Sequence, residues 1–299
     1  MDKQRINNQY MTGERALFQG NNLLIENCVF DDGESPLKEA KDLEIIHSSF
    51  QWKYPLWYAT NIDVHDTTFL ETARSGIWYT QHITIEDSLV AAPKTLRRAS
   101  DITLKNIDMP HAQETLWQCD HITMDHVNAT GDYFGMNSKN IQIHHLHLTG
   151  NYCFDGASHI EVHDSLLLSK DAFWNSENVT IYDSTIIGEY LAWNAKNITF
   201  VNCTIESLQG LCYIENLKMI NCKFMNTTLA FEYSSVDATI ASSIQSIMNP
   251  LSGRIKARSI EEIIMDPEKI DPSKIDIIVE ETQPLLSSPL YTKENCYES

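Results

Sequence analysis

The segments NVTIYDSTII (residues 178–187) and NITFVNCTIE (residues 197–206) share one pattern of apolar and polar residues and begin 19 residues apart. The pattern occurs twelve times, from a first copy that begins at Asn22 to a degraded copy that begins at Asp237, at intervals of 19 to 21 residues. A near-constant period over most of a chain is typical of a solenoid, in which each repeat forms one structural unit stacked on its neighbours. The repeat therefore decides the fold.

Within each unit, the inward positions are predicted at one, three, six and eight residues after the first, as in Ile198, Phe200, Cys203 and Ile205. Alternation with a period of two indicates a β-strand with one buried face. The alternation breaks once, at a position that holds Asn, Asp or His in successive units, and these residues tolerate turn geometry. Each unit is therefore predicted to be a strand, a corner and a second strand.

A third segment precedes each unit, with an apolar residue in a common column: Leu17, Leu37, Leu56, Ile77, Leu96, Leu116, Phe154, Phe173 and Leu211. Three extended segments in about nineteen residues leave no room for a helix of ten or more residues. The fixed Leu and Asn pattern of leucine-rich repeats is absent. We therefore predict an all-β fold, a right-handed parallel β-helix of about twelve coils over residues 13–247. Residues 1–12 are expected to form an N-terminal arm, and residues 248–299 an irregular C-terminal cap and tail.

The segments GERALF (residues 13–18), GESPLKE (residues 33–39) and WKYPLWY (residues 52–58) resemble a bacterial family of unknown function. That family belongs with the pectin-lyase-like right-handed β-helix proteins, and the resemblance extends over nearly the whole chain. It implies the fold. It implies no activity, because many unrelated chemistries share one fold.

Composition restricts the partners of this 299-residue chain. It has 22 Lys and Arg against 41 Asp and Glu, a net charge of −19. Such acidity argues against binding to duplex nucleic acid or to anionic membrane surfaces, which requires clustered cations. No stretch of eighteen apolar residues predicts a membrane span. With a polar N-terminus and seven cysteines without a CxxC pair, we expect a cytoplasmic protein with reduced thiols. No motif predicts a cofactor.

Five of the six tryptophans lie four residues before the start of a repeat, in one column of the predicted solenoid. Flat rings beside amides and hydroxyls could form a platform for a sugar, whereas a constant period also produces a purely structural stack. The structural stack is the favoured interpretation. The ligand-binding candidates in this column, in the next one and among the cations that interrupt them are Lys38, Trp57, Tyr58, Trp78, Tyr79, Arg98 and Trp117.

Charged residues in and near the same column are the catalytic candidates: Lys94, Arg97, Glu114 and Asp155. A base and a carboxylate beside a bound sugar would suit a hydrolase or a lyase, and a glycosidase needs two carboxyl groups. The alternative is that these charges are simply solvated. The leading hypothesis is recognition, with or without processing, of a neutral or amino sugar. The competing hypothesis is a non-catalytic scaffold that binds a protein or forms a homo-oligomer.

Histidines form a second group of candidates. Asp125, His144 and His163 are predicted to lie in one outward column of successive coils, where they could hold a transition metal. Because His also replaces Asn and Asp at the corners of this chain, a solvated stack is the preferred interpretation. The inward cysteines Cys28, Cys203 and Cys222 are predicted to fill the core rather than to act as nucleophiles.

Overall fold

The computed structural model describes residues 3–281, and it confirms the all-β, right-handed parallel β-helix. Every strand pairing between coils is parallel, and each residue lies over its counterpart about one repeat earlier. Within residues 3–281 the long face of the solenoid contains fifteen strands, one for each coil, three more than the twelve repeats that the sequence predicts. No helix among the described residues is long and apolar enough to cross a membrane.

The coils have a long face and a shorter second face, which meet at a corner. In some coils one strand ends at the corner and another begins after it, and in others a single strand continues through the corner. A small third sheet of two strands precedes two of the coils. The strands are β1 (Gln4–Asn7), β2 (Tyr10–Met11), β3 (Asn21–Glu26), β4 (Val29–Phe30), β5 (Lys41–Ile46), β6 (Ser49–Phe50), β7 (Thr60–His65), β8 (Thr68–Phe69), β9 (Ile77–Trp78), β10 (Gln81–Val90), β11 (Leu96–Arg97), β12 (Ser100–Met109), β13 (Asp120–Thr130), β14 (Lys139–Thr149), β15 (Ser158–His163), β16 (Leu166–Leu168), β17 (Glu177–Tyr182), β18 (Thr185–Ile187), β19 (Lys196–Val201), β20 (Thr204–Leu208), β21 (Glu215–Thr228), β22 (Ser235–Met248), β23 (Ser252–Ile264) and β24 (Ile275–Val279). Two short 3-10 turns span Glu71–Ala73 and Pro272–Lys274.

The corner between the two faces has left-handed backbone geometry, as the sequence predicts. Corner residues such as Asn27, Asp66 and Asn202 have φ values of 52°, 48° and 55°. Side-chain amides there connect the coils, since Asn202 Nδ2 donates to Asp183 Oδ1 at 3.0 Å. Asn and Asp are favoured because their short polar side chains hydrogen-bond locally and tolerate this conformation.

The interior is filled by stacked columns of identical or similar side chains. Phe50 lies between Phe30 and Phe69, with ring centroids 4.8 and 4.9 Å apart. Many inward hydroxyls of Ser and Thr connect the coils, because they accept from a backbone N–H of the preceding coil, as Ser184 Oγ does from Ser165 N at 3.0 Å. The core is therefore continuous along the axis, and the outward residues of each coil are free to vary.

The N-terminal prediction was wrong. Residues 4–11 do not form an arm over the first coil, because they are themselves a coil: β1 pairs with β3, and β2 pairs with β4. Ile6 and Met11 pack against the core, and Asn8 takes the corner conformation with φ 53°. One apolar residue in each strand is enough to join the solenoid, although it is too little to reveal the repeat.

The C-terminal boundary was also placed too early. β23 and β24 continue the long face, and Val236 lies beside Gly253, which lies beside Ile275. These offsets of 17 and 22 residues depart from the period of about nineteen, which explains why the repeat is not visible there. The remainder of the predicted cap and tail, residues 282–299, lies outside the described residues.

Candidate functional site

The tryptophan column faces outward, as the surface hypothesis requires, but its rings are half-buried. Trp57 and Trp78 stack with centroids 5.3 Å apart and an interplanar angle of 8°. Their indole N–H groups donate to backbone carbonyls of the following coil, Trp57 to Ser75 at 2.6 Å and Trp78 to Lys94 at 2.8 Å. Each ring therefore covers its neighbour and also ties two coils together.

Arg97 continues this stack in place of a ring. Its guanidinium carbon lies 5.1 Å from the centre of the Trp78 ring and 4.9 Å from that of Trp117. Its Nε donates to the carbonyl of Glu114 at 3.4 Å, the position that the indole N–H occupies in other coils. A planar guanidinium can both stack on aromatic faces and donate, so Arg97 fits a structural ladder.

The ladder then changes column, which the sequence did not predict. Met136 and Asp155 occupy the tryptophan column in the next two coils, and the stack passes instead through Tyr133 and Tyr152, whose ring centroids are 5.1 Å apart. Ring contacts of 6.5 Å join this pair to Trp117 on one side and to Trp174 on the other. We call the whole stack the aromatic ladder; it consists of Tyr54, Trp57, Trp78, Arg97, Trp117, Tyr133, Tyr152, Trp174, Trp193, Tyr213 and Tyr233.

Three of the four catalytic candidates, Lys94, Arg97 and Glu114, form an ion cluster in which both cations contact Glu114. Glu114 forms salt bridges with Arg97 and, at 3.2 Å, with Lys94. Only 20% of the Arg97 side chain and 22% of that of Glu114 are exposed. Both carboxylate oxygens of Glu114 are therefore engaged by cations, Oε1 by Lys94 and Oε2 by Arg97.

Asp155 lies apart from this cluster, three coils further along the tryptophan column. Burial raises the pKa of its carboxyl group, against the hydrogen bond from Asn175 that lowers the pKa. Asp171, on the adjacent coil, is 1% exposed, and burial raises its pKa too, although a hydrogen bond from Tyr152 acts in the opposite direction. Asp171 Oδ1 has no hydrogen-bond partner. The predicted site thus divides into an ion cluster and a separate pair of partly or fully buried carboxyl groups.

A more exposed column runs beside the ladder. Tyr58, with 47% of its surface exposed, stacks on Tyr79 at 4.8 Å and 5°. The amine of Lys38 lies 5.8 Å from the Tyr58 ring centre, and the Arg98 guanidinium lies 5.8 Å from that of Tyr79. Arg98 also donates to the Tyr79 hydroxyl at 3.3 Å and, in the next coil, to Gln118 Oε1 at 3.0 Å. We call Lys38, Tyr58, Tyr79, Arg98 and Gln118 the exposed stripe.

The histidine candidates separate into two groups. His144 and His163 lie on adjacent coils and stack at 4.7 Å, and His163 Nε2 contacts Glu161 at 2.8 Å. Asp125 pairs in register with His144, but its side chain points to the corner, where it meets His126 and His145. The predicted set of Asp125, His144 and His163 is therefore not brought together around one point.

The cysteines behave as core residues. Six are described; all are buried with free thiols, and burial raises the pKa of Cys203 to about 12. A thiol with such a pKa is almost entirely protonated at neutral pH and is a poor nucleophile. Cys296, the seventh, lies outside the described residues.

Two clefts in the described part of the surface lie away from the predicted site. A polar cleft of about 480 Å³ on the outward long face is lined by Asp101, Thr103, His121 and Asn140, among others. Another, of about 630 Å³, lies between Leu251 and Lys274 near the C-terminal coils. Neither contains a residue of the aromatic ladder or of the exposed stripe.

Comparison with known proteins assigns the chain to a family. Residues 4–278 match the family described as "Protein of unknown function (DUF3737)". The chain belongs to this family. The match confirms the resemblance to a family of unknown function, and it covers the N-terminal coil and the final strand as well as the visible repeats. A search of curated proteins finds no match.

Among solved structures, the chain is similar to other β-helices. One is the A-module of the mannuronan C-5 epimerase AlgE4 from Azotobacter vinelandii, with 10% identity, 96% of this chain and 91% of that chain covered, and a TM-score of 0.34. The corresponding module of AlgE6 gives 8% identity, 89% and 80% coverage, and a TM-score of 0.38. PfbA, a surface adhesin of Streptococcus pneumoniae, gives 8% identity, 81% and 70% coverage, and a TM-score of 0.36. Similarity at this level carries no information about the activity of this family.

Proposed function

We propose that this protein binds a neutral or amino-sugar carbohydrate at the exposed stripe and does not cleave it there. The observation that carries the proposal is the stripe itself, in which the exposed Tyr58 ring stacks on Tyr79 and the Tyr79 hydroxyl lies beside the Arg98 guanidinium, which also contacts the Gln118 amide. Hydroxyls, amides and a guanidinium at successive coils offer both donors and acceptors to the hydroxyls of a sugar. Binding would rely on hydrogen bonds and ring edges, because the two tyrosine rings cover each other on one face, and Lys38 and Arg98 lie over the other faces.

The absence of cleavage follows from the surrounding charges. The neighbouring carboxylate, Glu114, is neutralised by Lys94 and Arg97. Asp155 lies two coils beyond Glu114 in another column, where its carboxylate is half-buried and accepts a hydrogen bond from Asn175 Nδ2 at 3.2 Å. The ion cluster is better explained as support for the ladder, with Arg97 held between two indoles.

The test is glycan-array screening of the purified protein, followed by calorimetric titration of the best neutral or amino-sugar ligand. Tyr79→Ala and Arg98→Ala are each expected to weaken binding by about tenfold or more, since each loses a directly bonded partner. Tyr213→Ala is the matched control, because Tyr213 is 43% exposed and occupies the same column in a distant coil. The Tyr213→Ala variant should bind the ligand as the wild type does. Incubation of the ligand with the wild type should release no reducing ends.

Failure to bind any glycan would overturn the proposal. Equal loss of binding in Tyr79→Ala and Tyr213→Ala would also overturn it, since that would place the ligand elsewhere on the solenoid. Either result would favour the competing hypothesis of a scaffold whose long surface binds protein or a second copy of the chain.

A further inference from the structure

A compact group of possible metal ligands lies outside the aromatic surface. His126 Nδ1 is 2.8 Å and His145 Nδ1 is 3.0 Å from the same oxygen, Asp125 Oδ1. All three ligand atoms lie within 4.8 Å of one another, and this is the one such group of His, Cys, Asp and Glu found in residues 3–281. Neither the aromatic ladder nor the proposed sugar site uses these residues.

The group exists because two successive corners hold histidine. Elsewhere a corner amide donates to the corner residue of the preceding coil, as Asn106 does to Asp87 at 2.8 Å. At His126 and His145 no amide is available. Instead the rings stack at 4.2 Å, and both direct Nδ1 toward Asp125, the residue just before the first corner. Their hydrogen bonds, with that of His145 the largest contribution, lower the pKa of Asp125.

We infer that Asp125, His126 and His145 form a binding site for a divalent transition metal of the zinc class. Two imidazole nitrogens and one carboxylate oxygen are a donor set that Zn²⁺ commonly takes, with metal–ligand distances of about 2.0–2.2 Å. Ligands at that distance in tetrahedral or octahedral arrangements lie roughly 3 Å or slightly more apart, close to the two contacts seen here. The metal would displace the shared protons between the rings and the carboxylate, and water would complete the coordination.

The rigidity of the coils supports this assignment. Asp125 lies in β13 and His145 in β14, and the two strands pair in register from Asp120 to Thr130. His126 and His145 both have the left-handed corner geometry, with φ of 53° and 54°. The backbone therefore fixes the positions from which the three side chains project, on one edge of the solenoid.

The test is calorimetric titration of the full chain with ZnSO₄ after treatment with a chelator, in a Cys296→Ser background that removes the thiol outside the described residues. One Zn²⁺ for each chain is expected. His126→Ala and His145→Ala should each weaken the affinity by about tenfold or more. His144→Ala and His163→Ala are the matched controls, because they remove the adjacent stacked pair and should leave the affinity within about twofold.

Titration with Co²⁺ gives a second measurement, since its visible absorption reports the ligands directly. A spectrum that changes in His145→Ala and is unchanged in His144→Ala would support the assignment. The absence of saturable binding by either metal would overturn it. Greater loss in the His144 and His163 variants than in the His126 and His145 variants would overturn it as well, by moving the metal to the neighbouring stack.

Discussion

At the scale of single residues, Asp171 shows how a position in a repeat acquires its own chemistry. In the coils on either side, the same column contains Tyr152 and Tyr190, whose side chains reach solvent. Asp171 is too short to do so, and its carboxyl group is enclosed, with one oxygen unpartnered. An ionised carboxylate in such a place is costly, which is why the pKa of Asp171 is raised.

This burial predicts a pH-dependent effect of Asp171→Asn. The pKa of Asp171 is higher in the folded state than the value of about 3.8 in the unfolded state. The folded wild type is therefore most stable below that unfolded-state pKa and loses stability as pH rises through the folded-state pKa. The variant has no charge to bury. The melting temperature of the variant minus that of the wild type should therefore increase from pH 4 to pH 7, by a few degrees for a change of about 1 kcal/mol.

Asp125→Asn provides the opposite case. Hydrogen bonds from His145 and His126 lower the pKa of Asp125, so the wild type gains stability above the unfolded value and loses it as pH falls through the folded pKa. The melting temperature of the variant minus that of the wild type should therefore decrease as pH rises from 3 to 5. If the melting-temperature difference changed with pH in the same direction for Asp171→Asn and Asp125→Asn, the effect of burial on Asp171 would be contradicted.

Sequence reasoning identified which residues face outward but not which of them meet. The corner pattern predicted the left-handed positions, and the strand alternation predicted the register of Asp125 with His144. It missed the turn of the Asp125 side chain toward the corner. The available signal was histidine at two successive corners, His126 and His145, directly after a carboxylate. Side-chain rotamers decide such contacts, and a period of nineteen residues contains no information about them.

At the scale of elements, the aromatic ladder explains the charged residues that interrupt the tryptophans. Arg97 makes two ring contacts and a backbone hydrogen bond, which are the interactions that an indole makes in the same column. The favoured interpretation of the sequence, a structural stack, agrees with this geometry. What the sequence could not predict was the change of column at Tyr133, because the period treats the two columns independently.

The ladder predicts an unusual order of effects at position 97. Arg97→Ala should lower stability by about 1–3 kcal/mol, because two stacking contacts and the pair with Glu114 are lost. Arg97→Trp should recover most of that loss, since it restores the ring of the other coils. Thermal melting at neutral pH measures both variants.

Arg98→Ala is the control for position 97, because that side chain is exposed and should change stability by no more than about 0.5 kcal/mol. If Arg97→Trp were as damaging as Arg97→Ala, the guanidinium would have a role other than stacking.

At the scale of the whole molecule, the first and the last described coils depart from the repeat that builds the rest of the solenoid. The repeat predicted the middle of the protein, including the inward columns, and failed where the offsets become 17 and 22 residues and where β1 and β2 are very short. The strands of the first described coil are too short, and the offsets of the last ones too irregular, to match the pattern of the middle coils. Sequence periodicity therefore fades in the first and the last described coils.

Removal of residues 1–12 tests the new assignment of the first coil. The deletion would uncover the strand edges of β3 and β4 and the buried side chains of Leu23, Ile25 and Phe30. We expect a lower melting temperature and concentration-dependent association through the exposed edge. Light scattering after size-exclusion chromatography measures the association. Removal of residues 1–2 alone should leave the protein unchanged, and equal behaviour of both truncations would restore the interpretation of this segment as an arm.

The stacking of equivalent residues also governs how such a protein can change in length. A deletion of one complete period, for example from Asn178 to Lys196, joins corners, ladder rings and inward columns to their counterparts in the next coil. An insertion of only a few residues has no such partner and must bulge outward at a turn. Proteins of this fold should therefore differ in length by whole coils, so that selection changes the number of coils and leaves the size of each coil constant.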